Sequence, residues 1–157
     1  MTAADAIEIR AARREDAAVV HRLLLGLASA LGKPEGIRSS VADIERFGFG
    51  ERPRFEAVLA FDKSEAVGLA VYFYEFSTWR GQPGVYVQDL YVAPSARGQG
   101  LGRELIQAVR QRAAEQGARY VKLTVYDRNP EALAFYHGIG FESCEDELPL
   151  VLREPAQ

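Results

Sequence analysis

The sequence predicts an α/β protein with a mixed sheet and helices on both of its faces. Strand-like apolar runs alternate with amphipathic helical runs in the order β-α-α-β-β-β-α-β-α-β-β. One uninterrupted β-α-β unit, 85–125, must contain parallel strands, because a crossover of this kind joins strands that run in the same direction. The length of 157 residues is that of one domain, with its core expected over about residues 7–153.

The first half of the chain is predicted to contain two helices and three strands. Apolar side chains recur at helical spacing after Asp16, which suits the first turn of a helix. Ser39 or Ser40 is placed to cap the second helix, and 62–65 is placed to turn a hairpin. The predicted elements are a strand at 7–12, helices at 16–31 and 41–47, and strands at 55–61 and 66–76.

The second half is predicted to alternate strands with helices. Gly117 suits the position after a helix end, because glycine adopts the left-handed backbone conformation without strain. Asn129 and Pro130 mark a helix start, since asparagine caps free amides and proline fits the first helical position. The predicted elements are strands at 85–92 and 120–125, helices at 102–116 and 129–138, and closing strands at 141–144 and 148–152.

Composition excludes several classes of function. The chain is 48% hydrophobic and 26% charged, as in an ordinary soluble globular protein. Its net charge of −3 gives no basis for a nucleic-acid or anionic-membrane partner. One cysteine, Cys144, excludes an internal disulfide, and without a signal-like or membrane-spanning apolar run we expect a cytoplasmic protein. His21 and His137 stand apart from other metal ligands, so no metal site is expected.

The most informative stretch is 97–102, Arg-Gly-Gln-Gly-Leu-Gly, which follows a predicted strand and opens a predicted helix. Glycines at alternate positions remove side chains where a helix presents free N–H groups and the positive end of its dipole. Such a loop suits a pyrophosphate. A Walker A loop is excluded because Arg103 stands where lysine is required. A dinucleotide fingerprint is excluded because a ribose-binding acid at the right spacing is absent.

A second signature begins 27 residues after the loop, at 129–141, with the pattern Asn-x-x-Ala-x-x-Phe-Tyr followed by Gly-Phe. The two patterns, in this order and with one strand between them, resemble the GCN5-related N-acetyltransferase superfamily. The segment 47–53 and an aromatic hairpin ending near Trp79 are similar to its diamine (spermidine/spermine) branch. The resemblance implies the mixed-sheet fold of that superfamily, acetyl-CoA as the acyl donor, and a homodimer.

The resemblance also implies which residues bind the donor. Backbone groups of Leu90, Tyr91 and Val92 are expected to contact the pantetheine arm. Arg103 is expected to join the loop in binding phosphates, since the arginine fork suits them. Asn129 is expected beside the cofactor, although helix capping is its better-supported role. The expected pyrophosphate-binding residues are Arg97, Gly98, Gln99, Gly100, Leu101 and Gly102.

Tyr136 is the expected general acid. In the implied reaction an amine attacks the thioester carbonyl, an oxyanion forms, and coenzyme A leaves as a thiolate. A backbone N–H on a strand distorted near Leu90 is placed to stabilise the oxyanion. A tyrosine hydroxyl, with a pKa of about 10, still carries at neutral pH the proton that the departing sulfur needs.

The general base is left open by the sequence. The diamine enzymes have a glutamate at the position of Gln88, and glutamine cannot accept a proton. Asp89 follows directly, but strand alternation points it to the opposite face unless a bulge intervenes. The candidates are Asp89, Glu75 and a water relayed through Gln88 and backbone carbonyls. Trp79, as a wall of the substrate site, and Glu75 are also the candidate substrate-binding residues.

The favoured function is therefore transfer of an acetyl group from acetyl-CoA to a primary amine of a small molecule. A polyamine, a diamine or a lysine-like amino acid would each fit. One alternative is acetylation of a protein N-terminus or lysine side chain, which requires an open groove for a peptide. Another is a non-catalytic acyl-CoA-binding module, because Gln88 replaces the expected carboxylate. Family resemblance specifies the donor better than the acceptor.

Overall fold

A computed structural model describes residues 6–155 of the chain. These residues group into two compact units, 6–124 and 125–155. None of the described helices is both long enough and apolar enough to cross a membrane. The strands are β1 (Ile7–Ala11), β2 (Glu56–Asp62), β3 (Glu65–Ser77), β4 (Gln82–Val92) and β5 (Val121–Lys122), and the helices are α1 (Ala17–Ala30), α2 (Val41–Phe49), α3 (Leu101–Glu115) and α4 (Pro130–Gly138).

The first unit contains a mixed five-stranded sheet in the order β1-β2-β3-β4-β5. Successive strands from β1 to β4 pair antiparallel. The strands β4 and β5 pair in parallel, with Val85 opposite Val121 and Tyr86 opposite Lys122. The predicted mixed sheet, and the parallel pairing on either side of α3, are therefore confirmed.

Both faces of β3 are buried over residues 66–72, and each of these faces packs on a different helix. Leu69 and Val71 belong to the apolar cluster that contains the inner face of α1. Gly68 lies on the alternate face, where an added Cβ would stand 3.0 Å from Leu105 Cδ1 of α3. On that same face Arg112 Nε of α3 donates a hydrogen bond to the Tyr72 hydroxyl at 3.3 Å. Because alternate side chains of a strand point to opposite faces, α1 and α3 cover opposite faces of the sheet, as predicted.

The end of the chain differs from the prediction. The segments 141–144 and 148–152 are not strands, and β5 is shorter than the predicted 120–125. Their apolar side chains do not pack among the described residues, since Leu148, Leu150 and Leu152 are 86%, 92% and 92% exposed. A strand is stabilised by a neighbouring strand and by a covered face, and an apolar pattern by itself supplies neither.

Candidate functional site

A bulge in β4 determines where the two candidate acid–base residues lie. Tyr72 of β3 pairs with Val87 of β4, and Val71 pairs with Asp89, so Gln88 is an extra residue without an opposite partner. A bulge of this kind interrupts strand alternation and increases the local twist. Gln88 and Asp89 consequently line the same cavity. The bulge that the sequence required for Asp89 to join Gln88 is present.

That cavity, which we call the acceptor cavity, is bounded by α1, the α1–α2 loop, α2, β3 and β4. Its volume of about 330 Å³ is in the range of sites for small molecules. Its polar lining residues are Arg38, Ser39, Asp43, Gln88 and Asp89. Its apolar lining residues are Val20, Leu24, Ile37, Ile44, Phe47, Phe55 and Val71.

The Asp89 side chain is half-buried and unpaired. Among residues 6–155 its carboxylate has no hydrogen bond and no ion pair. Loss of water around it raises its pKa above the ordinary range for an aspartate. An isolated carboxylate in a largely apolar cavity is costly, and a cationic ligand would offset that cost. The acceptor cavity therefore favours an ammonium group.

The predicted pyrophosphate loop has its backbone N–H groups available. Gly98 and Gly100 have φ angles of 79° and 78°, a left-handed conformation in which other residues are strained. Gly100 precedes α3, and the buried Leu101 side chain anchors the first turn in the core. Within the described chain, the amides of 98–103 donate no hydrogen bond to another residue. Free amides at the start of a helix suit a diphosphate, so this loop fits the expected donor.

Arg97 connects the pyrophosphate loop to the end of β4. Its Nε donates a hydrogen bond to the Val92 carbonyl at 3.0 Å, and its guanidinium lies 5.9 Å from the centre of the Tyr91 ring. The Tyr91 side chain is buried against α1, where a Cβ added to Gly26 would stand 2.8 Å from its hydroxyl. Only the backbone of Tyr91 is thus placed to meet a cofactor, while Arg97 keeps its terminal nitrogens for phosphates.

The candidate substrate residues Glu75 and Trp79 do not line the acceptor cavity. Glu75 Oε2 accepts a hydrogen bond from the Tyr120 hydroxyl at 3.0 Å. Trp79 follows β3 in the turn to β4 and is 99% exposed. The structure therefore brings Gln88 and Asp89 together, and leaves the other two candidates outside that cavity.

The remaining candidates, Tyr136 and Asn129, belong to the second unit. The Tyr136 ring makes edge-to-face contacts with Phe135 and Phe141, at centroid distances of 5.1 and 5.4 Å. Burial raises the pKa of Tyr136 to about 12, so its hydroxyl is protonated at any physiological pH. Asn129 Oδ1 accepts a hydrogen bond from the Ala132 N–H at 3.1 Å, which confirms its predicted role as the α4 cap.

Sequence reasoning missed two charged residues of the acceptor cavity, Arg38 and Asp43. For Asp43 a signal exists, because Ser40 and Asp43 have the spacing of a capping box and form one in the structure. For Arg38 there is none, since a loop residue joins a cavity only through the tertiary fold.

Among the residues that the structure describes, no group of three or more histidine, cysteine, aspartate or glutamate side chains could hold a metal ion.

The functional class follows from comparison with known proteins. Residues 25–141 match the family described as the acetyltransferase (GNAT) family. The chain belongs to this family. It is accordingly an acyltransferase enzyme, and the family resemblance of its two sequence patterns is confirmed.

Individual relatives point to the same branch. The chain is 33% identical over 146 residues to a thialysine N-epsilon-acetyltransferase of Mus musculus, covering 88% of this chain and 85% of the relative. It is 27% identical to a spermidine/spermine N(1)-acetyltransferase-like protein of Homo sapiens, covering 88% of this chain and 21% of that protein. Its fold matches an aminoglycoside acetyltransferase from a soil metagenomic sample, in complex with sisomicin, with a TM-score of 0.80 and 17% identity over 95% and 97% of the two chains.

Proposed function

We propose that this GNAT acetyltransferase transfers the acetyl group of acetyl-CoA to a primary amine of a small molecule bound in the acceptor cavity. The observation that carries the proposal is the unpaired Asp89 carboxylate, held by the β4 bulge in a small, largely apolar cavity. Such a cavity suits a small cationic group better than an extended peptide. The names of the thialysine and spermidine/spermine relatives support a small-molecule acceptor.

The donor end of the proposal rests on the pyrophosphate loop. Acetyl-CoA supplies the acetyl group as a thioester. The free amides of 98–103 bind its diphosphate, helped by the α3 dipole and by the terminal nitrogens of Arg97. The backbone of β4 from Leu90 onwards, just after the bulge, lies between that loop and Asp89 along the chain, which suits it to hold the pantetheine arm.

Asp89 has two tasks in this proposal. An alkyl amine has a pKa of about 10.4 and enters as an ammonium ion, which the carboxylate attracts. The amine must then lose a proton before its nitrogen bonds to the acetyl carbon. Since loss of water raises the pKa of Asp89, the carboxylate is a stronger base than an exposed aspartate. The Gln88 amide cannot accept the proton, but its carbonyl oxygen can orient the amine or a water.

Tyr136 has the complementary task in the proposal. Its hydroxyl gives a proton to the sulfur as the carbon–sulfur bond breaks, so that coenzyme A leaves as a neutral thiol. The raised pKa of Tyr136, about 12, supports this role because the hydroxyl is reliably protonated before transfer. The resulting tyrosinate recovers its proton from solvent.

We further propose that the enzyme is a cytoplasmic homodimer.

The test is a thiol-release assay with purified protein, acetyl-CoA and a panel of diamines, amino acids and short peptides. We expect release with small amines. Replacing Asp89 by Asn should lower kcat/KM by a factor of about 10² to 10⁴, the usual size of general-base catalysis, with acetyl-CoA affinity unchanged in calorimetry. The matched control is Asp62→Asn, which changes an exposed acid at the end of β2.

Two outcomes would contradict the proposal. Release with peptides but not with small amines would identify a peptide acetyltransferase. Tight acetyl-CoA binding with no release across the whole panel would identify a non-catalytic acyl-CoA-binding module.

A further inference from the structure

The acceptor cavity contains more charged groups than the proposed function requires. Its lining contains two carboxylates, Asp43 and Asp89, and one guanidinium, Arg38, which leaves a net formal charge of −1. Asp89 suffices for the reacting ammonium. A cavity built to bind a second ammonium would gain nothing from an arginine, because like charges repel.

Arg38 is available to a ligand. It is exposed in the loop between α1 and α2. Among residues 6–155 its guanidinium has no hydrogen bond, ion pair or aromatic contact. A planar guanidinium presents paired donors that match a carboxylate, so an unpaired arginine at a cavity favours a ligand with that group.

The backbone around Arg38 is held in place from both sides. His21 Nε2 of α1 donates a hydrogen bond to the Ser39 carbonyl at 2.8 Å. Ser40 and Asp43 exchange hydrogen bonds of 2.8 and 3.1 Å at the start of α2. A loop anchored in this way presents the Arg38 side chain from a fixed position, which lowers the entropic cost of binding.

We propose that Arg38 determines acceptor specificity by binding a carboxylate on the amine substrate, so that the preferred acceptor is an amino acid with a side-chain amine. This inference rests on the proposed function. Asp89 binds the reacting ammonium, Arg38 binds the carboxylate, and Asp43 is the remaining anion for the α-ammonium. Such an amino acid carries a net charge of +1, which balances the lining, whereas diamines and triamines carry more positive charge and no group for Arg38.

The experiment compares substrates that differ only by the carboxylate. Lysine is paired with 1,5-diaminopentane, and ornithine with 1,4-diaminobutane. Wild-type protein should prefer each amino acid. In Arg38→Glu the ratio of kcat/KM for lysine to that for 1,5-diaminopentane should fall at least about tenfold, mainly through the KM for lysine, as expected for loss of one hydrogen bond to a charged group.

Two further variants make the result specific. Arg38→Lys keeps the charge but loses the paired donors, so it should restore part of the preference for lysine. Arg110→Glu changes the net charge of the protein by the same amount on α3, on the other face of the sheet, and should leave the ratio unchanged. Thermal unfolding confirms that each variant is folded.

The possible results separate the two proposals. Wild-type protein that acetylates the diamines better than the amino acids overturns the role of Arg38 and leaves the proposed function intact. The role of Arg38 is also overturned if the ratio of kcat/KM for lysine to that for 1,5-diaminopentane in Arg38→Glu equals the ratio in wild type or in Arg110→Glu. No thiol release with any amine overturns both proposals.

Discussion

One residue, Gln88, decides the character of the acceptor cavity. It is the unpaired member of the β4 bulge, and its insertion turns Asp89 to the same side as Gln88 itself. Without the bulge, Asp89 would point to the face that α3 covers, where an unpaired carboxylate would be buried among apolar side chains. The glutamine thus matters through the backbone geometry at its position as well as through its side chain.

Replacing Tyr136 by Phe tests whether the Tyr136 hydroxyl is the general acid. We expect kcat to fall by a factor of about 10² or more, because the hydroxyl proton is lost, while the acetyl-CoA dissociation constant stays the same. Since the pKa of Tyr136 is about 12, its hydroxyl remains protonated as the pH rises from neutral to weakly alkaline. The ratio of wild-type to variant kcat should therefore be constant between neutral pH and about pH 9.

The control for that substitution is Tyr74→Phe, which removes a hydroxyl from an exposed strand position. It should leave kcat unchanged. A kcat for Tyr136→Phe equal to that of wild type would remove Tyr136 from the acid role. A ratio that collapsed at weakly alkaline pH would instead mean that the proton comes from a group with a lower pKa.

Single residues also show how far the sequence predicts the site. The adjacent pair Gln88 and Asp89 could be selected from chemistry. The bulge depends on pairing with β3, so the sequence could state it only as a requirement for Asp89 to share the face of Gln88. Arg38 could not be found, because nothing local marks a loop arginine as part of a cavity. Glu75 and Trp79 were chosen for their chemical type, but neither residue lines the acceptor cavity.

At the scale of elements, an ion pair fixes the start of α1, the helix that contributes one wall of the acceptor cavity. The carboxylate of the buried Asp16 accepts hydrogen bonds from Arg10 of β1 at 2.7 and 3.1 Å, and from the Arg13 N–H at 2.7 Å. These bonds hold the pKa of Asp16 below its ordinary value, with Arg10 as the largest cause.

Asp16→Asn should lower the free energy of unfolding at neutral pH by about 2 kcal/mol, since charge-assisted hydrogen bonds at a buried position are lost. Because the pKa is lowered on folding, this stabilisation is full above about pH 4, the ordinary aspartate value, and is lost as the pH falls through the lower folded value. Urea unfolding of the wild-type and Asp16→Asn proteins across that pH range measures the difference in free energy of unfolding.

The control Glu45→Gln removes an exposed partner of Arg14, 3.9 Å away, and should have little effect on the free energy of unfolding. Equal losses from the two substitutions would contradict the prediction.

The turn into α3 depends on the left-handed conformation of Gly100. Gly100→Ala should cost about 1 kcal/mol of stability, because alanine is strained at a φ of 78°, and it should also weaken acetyl-CoA binding by shifting the free amides. Nothing lies within 4 Å of the added Cβ, so a steric clash is not the cause. Calorimetric titration with acetyl-CoA measures the effect.

The structure offers a close control for this substitution. Gly117 follows the other end of α3 with a φ of 85°, and its added Cβ would make only an ordinary contact of 3.8 Å with Pro83. Gly117→Ala should lose similar stability and keep full acetyl-CoA affinity. If both variants lose affinity equally, then general destabilisation is responsible and the pyrophosphate loop has no special role.

Elements differ in how much of them the sequence could predict. The ends of α3 and α4 follow from local chemistry, since Gly100, Gly117 and Asn129 act within one turn of their own position. The predicted closing strands failed because a strand exists only with a partner beside it. The residues 148–152 have an apolar pattern but, within the described chain, no strand to pair with.

At the scale of the whole molecule, different elements of the first unit form the acceptor cavity and the pyrophosphate loop. The acceptor cavity is on the side of α1 and α2, while α3, which presents the pyrophosphate loop at its start, covers the other side. The strand β4 connects them, because the bulge lies within it and a short turn, 94–96, leads from its end to the loop. This arrangement explains why a β-α-β unit predicted from sequence alone was sufficient to propose a donor site, whereas the acceptor cavity required α1, α2 and their loop.

The exposed apolar residues of 148–152 are the candidate interface of the proposed homodimer. Large exposed apolar surfaces are uncommon on monomers, and Leu148, Leu150 and Leu152 are each more than four-fifths exposed. We expect wild-type protein to sediment at about twice the chain mass of 17.4 kDa. Replacing all three leucines by serine should shift the mass to that of one chain, because the apolar area that drives association is removed. The control is serine at Leu31, an exposed leucine at the end of α1, which should leave the mass unchanged. A wild-type mass of one chain at micromolar concentration would contradict the dimer, and a triple variant that remained dimeric would place the interface away from this segment.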